Sequence, residues 1–310
     1  MEPRWIDGHL DRSDGFPRAD WDAVLPHIIE RVPEAELRDA ITSAARDWLT
    51  ATRDAIGGAY RVEESENFLL LATFPTKTAA GLLAFLEPAR RRILTQLLPG
   101  VAMVKGRGKH VAIVFDDIEK YYSYIAYFYP PEGEFAASGG VFVQRGYGRR
   151  GWGYGHFVLH GSLIRGIERT VAHELTHNCL RHLPIPGWLN EGLAMTVESI
   201  VMGDGGLVVR REDIDEHRAH WQGGAIQEFW SGAAVHRPDD GSRLTYHLAR
   251  MAVKALSSDY ERFREFVLLA DRDDAGEAAA MKVFGRGLGG LIEQFLGPGD
   301  WAPRPEGWGR

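Results

Sequence analysis

The stretch that decides the fold is "ERTVAHELTHNCLRHLPIPGWLNEGLAMTVESI", residues 168–200. Its first part predicts a helix on which His173 and His177 stand one turn apart, because residues four apart project from nearly the same side of a helix. Glu174 lies about 100° further round the axis, within reach of a water molecule at such a site but not placed as an equal ligand. The pattern therefore predicts a metal site with a carboxylate beside it.

A third ligand is expected from the second part of the stretch. The segment "LPIPGW" predicts a turn, because its prolines end the first helix and Gly187 permits a sharp reversal. "WLNEGLAMTVESI" then predicts a second helix, with Glu191 as its first acidic residue. Two imidazoles and a carboxylate suit zinc, whereas magnesium and calcium sites use oxygen ligands. Glu198 faces nearly the same way as Glu191 and stays open as the alternative ligand.

Outside this stretch, the sequence predicts an α+β fold with strands in the middle and a helical C-terminal half. We predict an N-terminal helical extension over residues 1–57, a core over 58–203 that holds the sheet and both motif helices, and a helical subdomain over 204–310. The first twenty residues are charged and patternless, so we expect them to be loosely held. Pro88 is expected to kink or break its helix.

Composition limits the classes of function. The formal net charge is -7, which argues against a general nucleic-acid binder. Hydrophobic residues make up 45% of the chain and none of its apolar runs is long enough for a membrane span. The single cysteine, Cys179, cannot form an internal disulfide and reads as a core residue. We therefore expect a cytoplasmic protein without a nucleic-acid or membrane partner; its oligomeric state stays open.

The pair "HELTH" and "GWLNEGLA" resembles the gluzincin branch of zinc metallopeptidases, and within it the peptidase-MA-like families. The resemblance extends softly over roughly residues 60–296 and implies a zincin-like fold, a zinc cofactor and a peptide or protein substrate. It implies His173, His177 and Glu191 as zinc ligands and Glu174 as general base. Tyr246, in "RLTYHLA", matches the oxyanion donor, with His247 and His236 as the alternatives.

The sequence also departs from related enzymes. The thirteen residues between His177 and Glu191 make a shorter connection than in thermolysin-type or aminopeptidase-N-type enzymes, and the aminopeptidase signature G-x-M-E-N is absent. Nothing therefore favours an aminopeptidase. Met195 stands where thermolysin-type enzymes have an aspartate, so the group that orients the ligand histidines is open.

Two further expectations concern the substrate cleft. The strand "GHFVLHG" resembles the edge strand that borders the cleft in gluzincins, where a substrate backbone can pair with it. The tip "RGYGRRGWGYG" is a candidate flap that attracts acidic substrate segments. Its cationic residues are Arg145, Arg149 and Arg150.

Several histidines outside the motif have ordinary structural readings. His182 is expected to cap the end of its helix, and the others are expected to be surface or strand histidines. These others are His156, His160, His217 and His220.

Two rivals to a peptidase stay open. One is a zinc-bearing peptide-binding or regulatory module without catalysis, and the other is a zinc hydrolase that acts on a non-peptide amide.

Overall fold

The computed structural model describes residues 5–104, 106–128, 139–145, 154–161, 164–237 and 239–308. It confirms the predicted α+β class, with 60% of the chain in helices and a small mixed sheet. The chain divides into two compact units, and the division falls inside two helices, after Arg91 and after Asn178. Among the described residues, the first unit comprises 5–91, 104, 106–128, 139–145, 154–161 and 164–178, and the second comprises 92–103, 179–237 and 239–308. The predicted boundaries at residues 57 and 203 remain predictions.

The first unit holds all the described strands. Its elements are β1 Leu10–Asp11, β2 Arg18–Ala19, α1 Trp21–Ile29, α2 Leu37–Ile56, β3 Arg61–Glu64, β4 Phe68–Ala72, α3 Thr76–Arg92, β5 His110–Phe115, α4 Ile118–Ala126, β6 Gly140–Arg145, β7 Tyr154–His160 and α5 Ile164–Leu180. Local signals fix many of these bounds. Asp20 accepts a hydrogen bond from the backbone N–H of Ala23 at the start of α1, and Gly57 ends α2 with a φ of 68°.

The main sheet has the strand order β3-β4-β5-β7-β6. β5 lies parallel to both β4 and β7, while β3 and β6 pair antiparallel with their neighbours. The prediction that the strand "GHFVLHG" is an edge strand is therefore wrong: β7 lies between β5 and β6, and β6 is the edge among the described strands. Its residues agree with this position, because the consecutive central residues of β7 are buried and point alternately to both faces, as in an interior strand.

The two faces of the sheet carry different helices. Tyr154, His156 and Val158 alternate along β7 with Phe157 and Leu159, so the two sets point to opposite faces. Val158 and Tyr154 belong to the core formed with α1, α2 and α4. Leu159 points to the other face, where the Thr170 side chain of α5 lies beside Gly140. Helix α5 therefore packs on the Leu159 face.

The described part of the N-terminal segment is ordered, which makes the prediction of a loosely held lead wrong. Ile6 is 3% exposed and Arg18 is 6% exposed, and β1 pairs with β2. The carbonyl oxygen of Pro17 accepts a hydrogen bond from Trp48 Nε1 at 2.8 Å. Aromatic contacts and hydrogen bonds to α2 thus hold a segment whose charges suggested exposure.

Pro88 does not break its helix. α3 runs through Pro88 to Arg92 and continues as a π-helical turn over Ile93–Leu97. The aromatic helix α4 contributes to the core, because its Tyr121 and Tyr124 are both fully buried.

The second unit is helical throughout its described regular elements. These are α6 Gly187–Val201, α7 Arg211–Trp221, α8 Ile226–Ser231, α9 Asp240–Leu256, α10 Tyr260–Leu269, α11 Glu277–Phe284 and α12 Leu288–Leu296. The helix α6 and the helical character of this part of the chain were predicted, and α8 is only six residues long. The helices α6 and α9 pack closely at Gly192, where the backbone of Ala249 approaches. Trp188 lies in the core of this unit beside Phe229 and Trp230.

Some predicted features lie outside the described residues. These are the tip residues 146–153 with Arg149 and Arg150, and the side chains of Arg145 and His236.

Candidate metal centre

Helix α5 presents the two motif histidines to one point. The Nε2 atoms of His173 and His177 lie 3.0 Å apart, and their ring centroids are separated by 4.7 Å. Two nitrogens bound to one tetrahedral zinc ion, each at about 2.0–2.1 Å, would lie roughly 3.3 Å apart. The spacing of the imidazoles therefore suits two ligands of a single ion.

Glu191 is the third member of the group. It lies in the first turns of α6, which begins after Pro186 as the turn chemistry predicts. One ligand atom from each of His173, His177 and Glu191 lies within 4.8 Å of the others, and all three residues are half-buried. Two neutral imidazoles and one carboxylate match a catalytic zinc donor set, which uses three protein ligands and leaves a position open.

Glu198 occupies a different environment. It is 8% exposed on α6, and it does not belong to the group of converging ligand atoms among the described residues. Of the two carboxylates that the sequence left open, the geometry therefore favours Glu191 as the ligand. Cys179 is fully buried, as predicted for a core residue.

Glu174 contacts the backbone of the edge strand. Its Oε2 accepts a hydrogen bond of 2.9 Å from the N–H of Phe142 on β6. The strand register explains why that N–H is available. His160 of β7 donates to the carbonyl of Gly139, so the alternate residues Gly140 and Phe142 direct their backbone groups away from β7. Sequence reasoning missed this contact because it depends on which strand forms the edge.

Tyr246 lies on the face of α9 that packs on α6. It is half-buried and shares that face with Ala249 and Val253, both of which approach Gly192. His247 points about 100° away and is engaged elsewhere: its Nδ1 lies 2.8 Å from Nε2 of His217 on α7. Of these two candidate oxyanion donors, Tyr246 is the one on the α6 side.

His217 is buried, which makes its prediction as a surface or strand histidine wrong. It has no exposed area, and its Nδ1 accepts a hydrogen bond of 3.1 Å from Trp221 Nε1. Burial, with the neighbouring charge of His247, lowers the pKa of His217 to about 3, and burial also lowers the pKa of His247. His217 is therefore neutral near pH 7, and its Nε2–H donates to His247. No local sequence signal predicts this series of hydrogen bonds, because its members come from two helices.

No described helix combines the length and the hydrophobicity that a membrane crossing requires.

No family model matches the chain, and no curated protein matches it.

Proposed function

We propose that this chain is a zinc-dependent metallopeptidase of the gluzincin type, with a zincin-like fold. The observation that carries the proposal is the convergence of one ligand atom each from His173, His177 and Glu191 within 4.8 Å. The HExxH motif, which is HELTH at residues 173–177, places a carboxylate, Glu174, directly after the first ligand. A metal held only for structure has no use for that neighbour, so the arrangement favours hydrolysis.

When bound, zinc would supply Lewis acidity that polarises the scissile carbonyl and eases deprotonation of water. The chain's own residues supply the proton transfers. Glu174 would take a proton from the attacking water and pass it to the leaving amine. The hydrogen bond from Phe142 N–H to Oε2 would hold this carboxylate in one orientation and leave Oε1 for the proton. Tyr246 would donate its hydroxyl proton in a hydrogen bond to the developing oxyanion.

A peptide or protein substrate would bind in extended form along β6. This strand is the edge of the sheet, and its alternate residues turn backbone groups outward. Edge strands accept peptides by adding a further strand. Because the outward N–H of Phe142 is engaged with Glu174, the substrate would pair mainly with the outward carbonyl groups. A cytoplasmic location belongs to the same proposal.

The test is Glu174→Gln, which keeps the shape of the side chain and removes the base. We expect retained zinc and a loss of peptide hydrolysis of about 100-fold or more. Glu168→Gln, on the same helix and outside the ligand group, is the matched control and should behave like the wild type. Equal hydrolysis by Glu174→Gln and the wild type would refute the mechanism. Full zinc occupancy with no cleavage of a broad peptide panel would favour the non-catalytic module instead.

A further inference from the structure

A cavity of about 320 Å³ lies in the first unit, on the face of the sheet opposite α5. Tyr154 and His156 of β7 line it, whereas Leu159 on the opposite face lies toward α5. The volume is at the lower end of the range for small-molecule sites. The cavity is therefore separate from the HExxH helix, and the proposed function does not use it.

Tryptophan, tyrosine and phenylalanine side chains make up half of the residues that line the cavity. They are Trp21, Trp48, Tyr124, Tyr127, Phe128 and Tyr154. Trp21 stacks on Tyr154 with ring centroids 4.2 Å apart, and hydrogen bonds to backbone carbonyls hold both Trp48 Nε1 and the Tyr154 hydroxyl. These contacts fix the rings in place, so the wall is formed before any ligand enters.

The charged groups at the cavity are mostly negative. Asp11, Asp20 and Asp22 line it and are exposed, and within the described ranges none of them has an ion-pair partner. Arg18 also lines the cavity, but Asp14 neutralises it in an ion pair. The Arg18 guanidinium is further occupied by stacking on Tyr127, 3.9 Å from the ring centroid. The electrostatic potential at the mouth of the cavity, where the exposed aspartates lie, therefore favours a cation.

Two polar atoms in the lining argue against a simple packing void. Arg18 Nε and His156 Nδ1 are buried and have no hydrogen-bond partner. His156 is nevertheless held in place, with Nε2 2.7 Å from the Tyr124 hydroxyl. Burial, with the charge of Arg18 nearby, lowers the pKa of His156 to about 3, so this ring adds no positive charge near pH 7. Cavities that serve only as packing defects are lined by apolar groups.

We propose that this cavity is a second binding site, and that it takes a small organic amine with an aromatic or alkyl body. The body would enter between the aromatic rings, where a cation next to ring faces is stabilised. The ammonium group would lie at the mouth beside Asp20 and Asp22 and form charge-assisted hydrogen bonds with them.

Three ligands with one body and different charges test the proposal. Phenethylamine, 2-phenylethanol and 3-phenylpropionate are titrated into the full-length protein at pH 7 and low salt, and binding is followed by calorimetry. We expect saturable binding of the amine, binding of the alcohol weaker by about tenfold, and no binding of the carboxylate. Tightest binding of the carboxylate would overturn the proposal, because Arg18 would then set the specificity. No saturable binding of any of the three would overturn it as well.

Variants locate the binding. Asp20→Asn keeps a side-chain acceptor for the N–H of Ala23, because Asn caps helices as well as Asp does. Asp22 is exposed, so Asp22→Asn leaves the core unchanged. The double variant should weaken amine binding by about tenfold. Glu30→Gln, at the opposite end of α1, is the control and should bind like the wild type. Wild-type affinity in the double variant would place the amine elsewhere and overturn the proposal.

Discussion

Gly192 is the position at which the packing of the motif helix can be tested most sharply. It follows Glu191 and lies where α6 meets α9. A Cβ atom at this residue would lie 2.6 Å from the carbonyl oxygen of Ala249 and 2.7 Å from Cγ2 of Val253. Both distances are shorter than real contacts, so in Gly192→Ala the two helices must separate by roughly 0.5–1 Å.

The net effect combines two opposing contributions. Forcing a methyl group into a close-packed contact costs about 1–3 kcal/mol. Replacing glycine by alanine inside a helix contributes about 1 kcal/mol in the other direction. The closest atom belongs to the backbone of α9, which cannot rotate away as a flexible side chain would. We therefore take the upper half of the strain range and expect a net destabilisation of about 1–2 kcal/mol.

The assay is guanidinium unfolding followed by tryptophan fluorescence. Gly290→Ala is the matched control, because Gly290 lies within α12 and a Cβ atom there meets nothing within 4 Å. The control should gain about 0.5–1 kcal/mol in unfolding free energy while Gly192→Ala loses stability. If both substitutions stabilise the protein equally, the close approach of α6 and α9 at Gly192 is refuted.

Three further predictions concern stability and catalysis. Burial lowers the pKa of His156 and of His217 from 6.5 to about 3, so between these pH values the unfolded chain binds protons that the folded chain does not. The contribution of these histidines to the unfolding free energy should therefore be fully present above pH 6.5, and it should fall by up to about 1.4 kcal/mol per pH unit for each histidine as the pH drops. Urea titrations of His217→Gln should show a shallower dependence of the unfolding free energy on pH, and an unchanged dependence would contradict the burial of that ring. Phe142→Pro removes the N–H that holds Glu174 without removing a hydrogen bond to β7, so it should lower kcat roughly tenfold or more with zinc retained. Phe142→Leu keeps the N–H and should keep near-wild-type kcat. Equal kcat values for the two variants would exclude the role of the N–H. A Cβ atom in Gly155→Ala would lie 2.2 Å from the Phe142 ring, so thermal unfolding should show a loss of stability of about 1–3 kcal/mol. Adding Phe142→Leu should restore part of that stability, and a double variant no more stable than Gly155→Ala would argue against this contact.

The motif helices could be predicted because their signals are local. Residues 168–200 contain the HExxH motif, a proline turn and a second helical segment, and α5 and α6 have the predicted turn between them. The convergence of His173, His177 and Glu191 also follows from this short connection. These features need no knowledge of contacts between distant parts of the chain.

The strand order could not be predicted in the same way. β6 and β7 pair antiparallel, and either strand of such a pair can face the rest of a sheet. The pairing of β7 with β5 is a contact between residues more than forty positions apart, such as Val111 and His156. The sequence-based prediction therefore placed β7 at the edge instead of β6, and for this reason it did not include the hydrogen bond between Phe142 and Glu174.

Buried polar residues were missed for a related reason. Arg18 looks like an exposed charge in the sequence, but its partners include Asp14 nearby and the distant Tyr127, which directly follows α4. His217 lies in a polar helix, yet Trp221 and His247 enclose it. In both cases the compensation for burial comes from contacts that local sequence patterns do not contain.

The most direct test of the proposed metal centre is the metal content of the purified protein, measured by inductively coupled plasma mass spectrometry. The wild type is compared with Glu191→Gln and with Glu198→Gln, which is the matched change about two turns further along α6. We predict about one zinc per chain in the wild type and in Glu198→Gln, and a strong reduction in Glu191→Gln. No zinc in the wild type after reconstitution, or a loss confined to Glu198→Gln, would contradict the assigned ligand set.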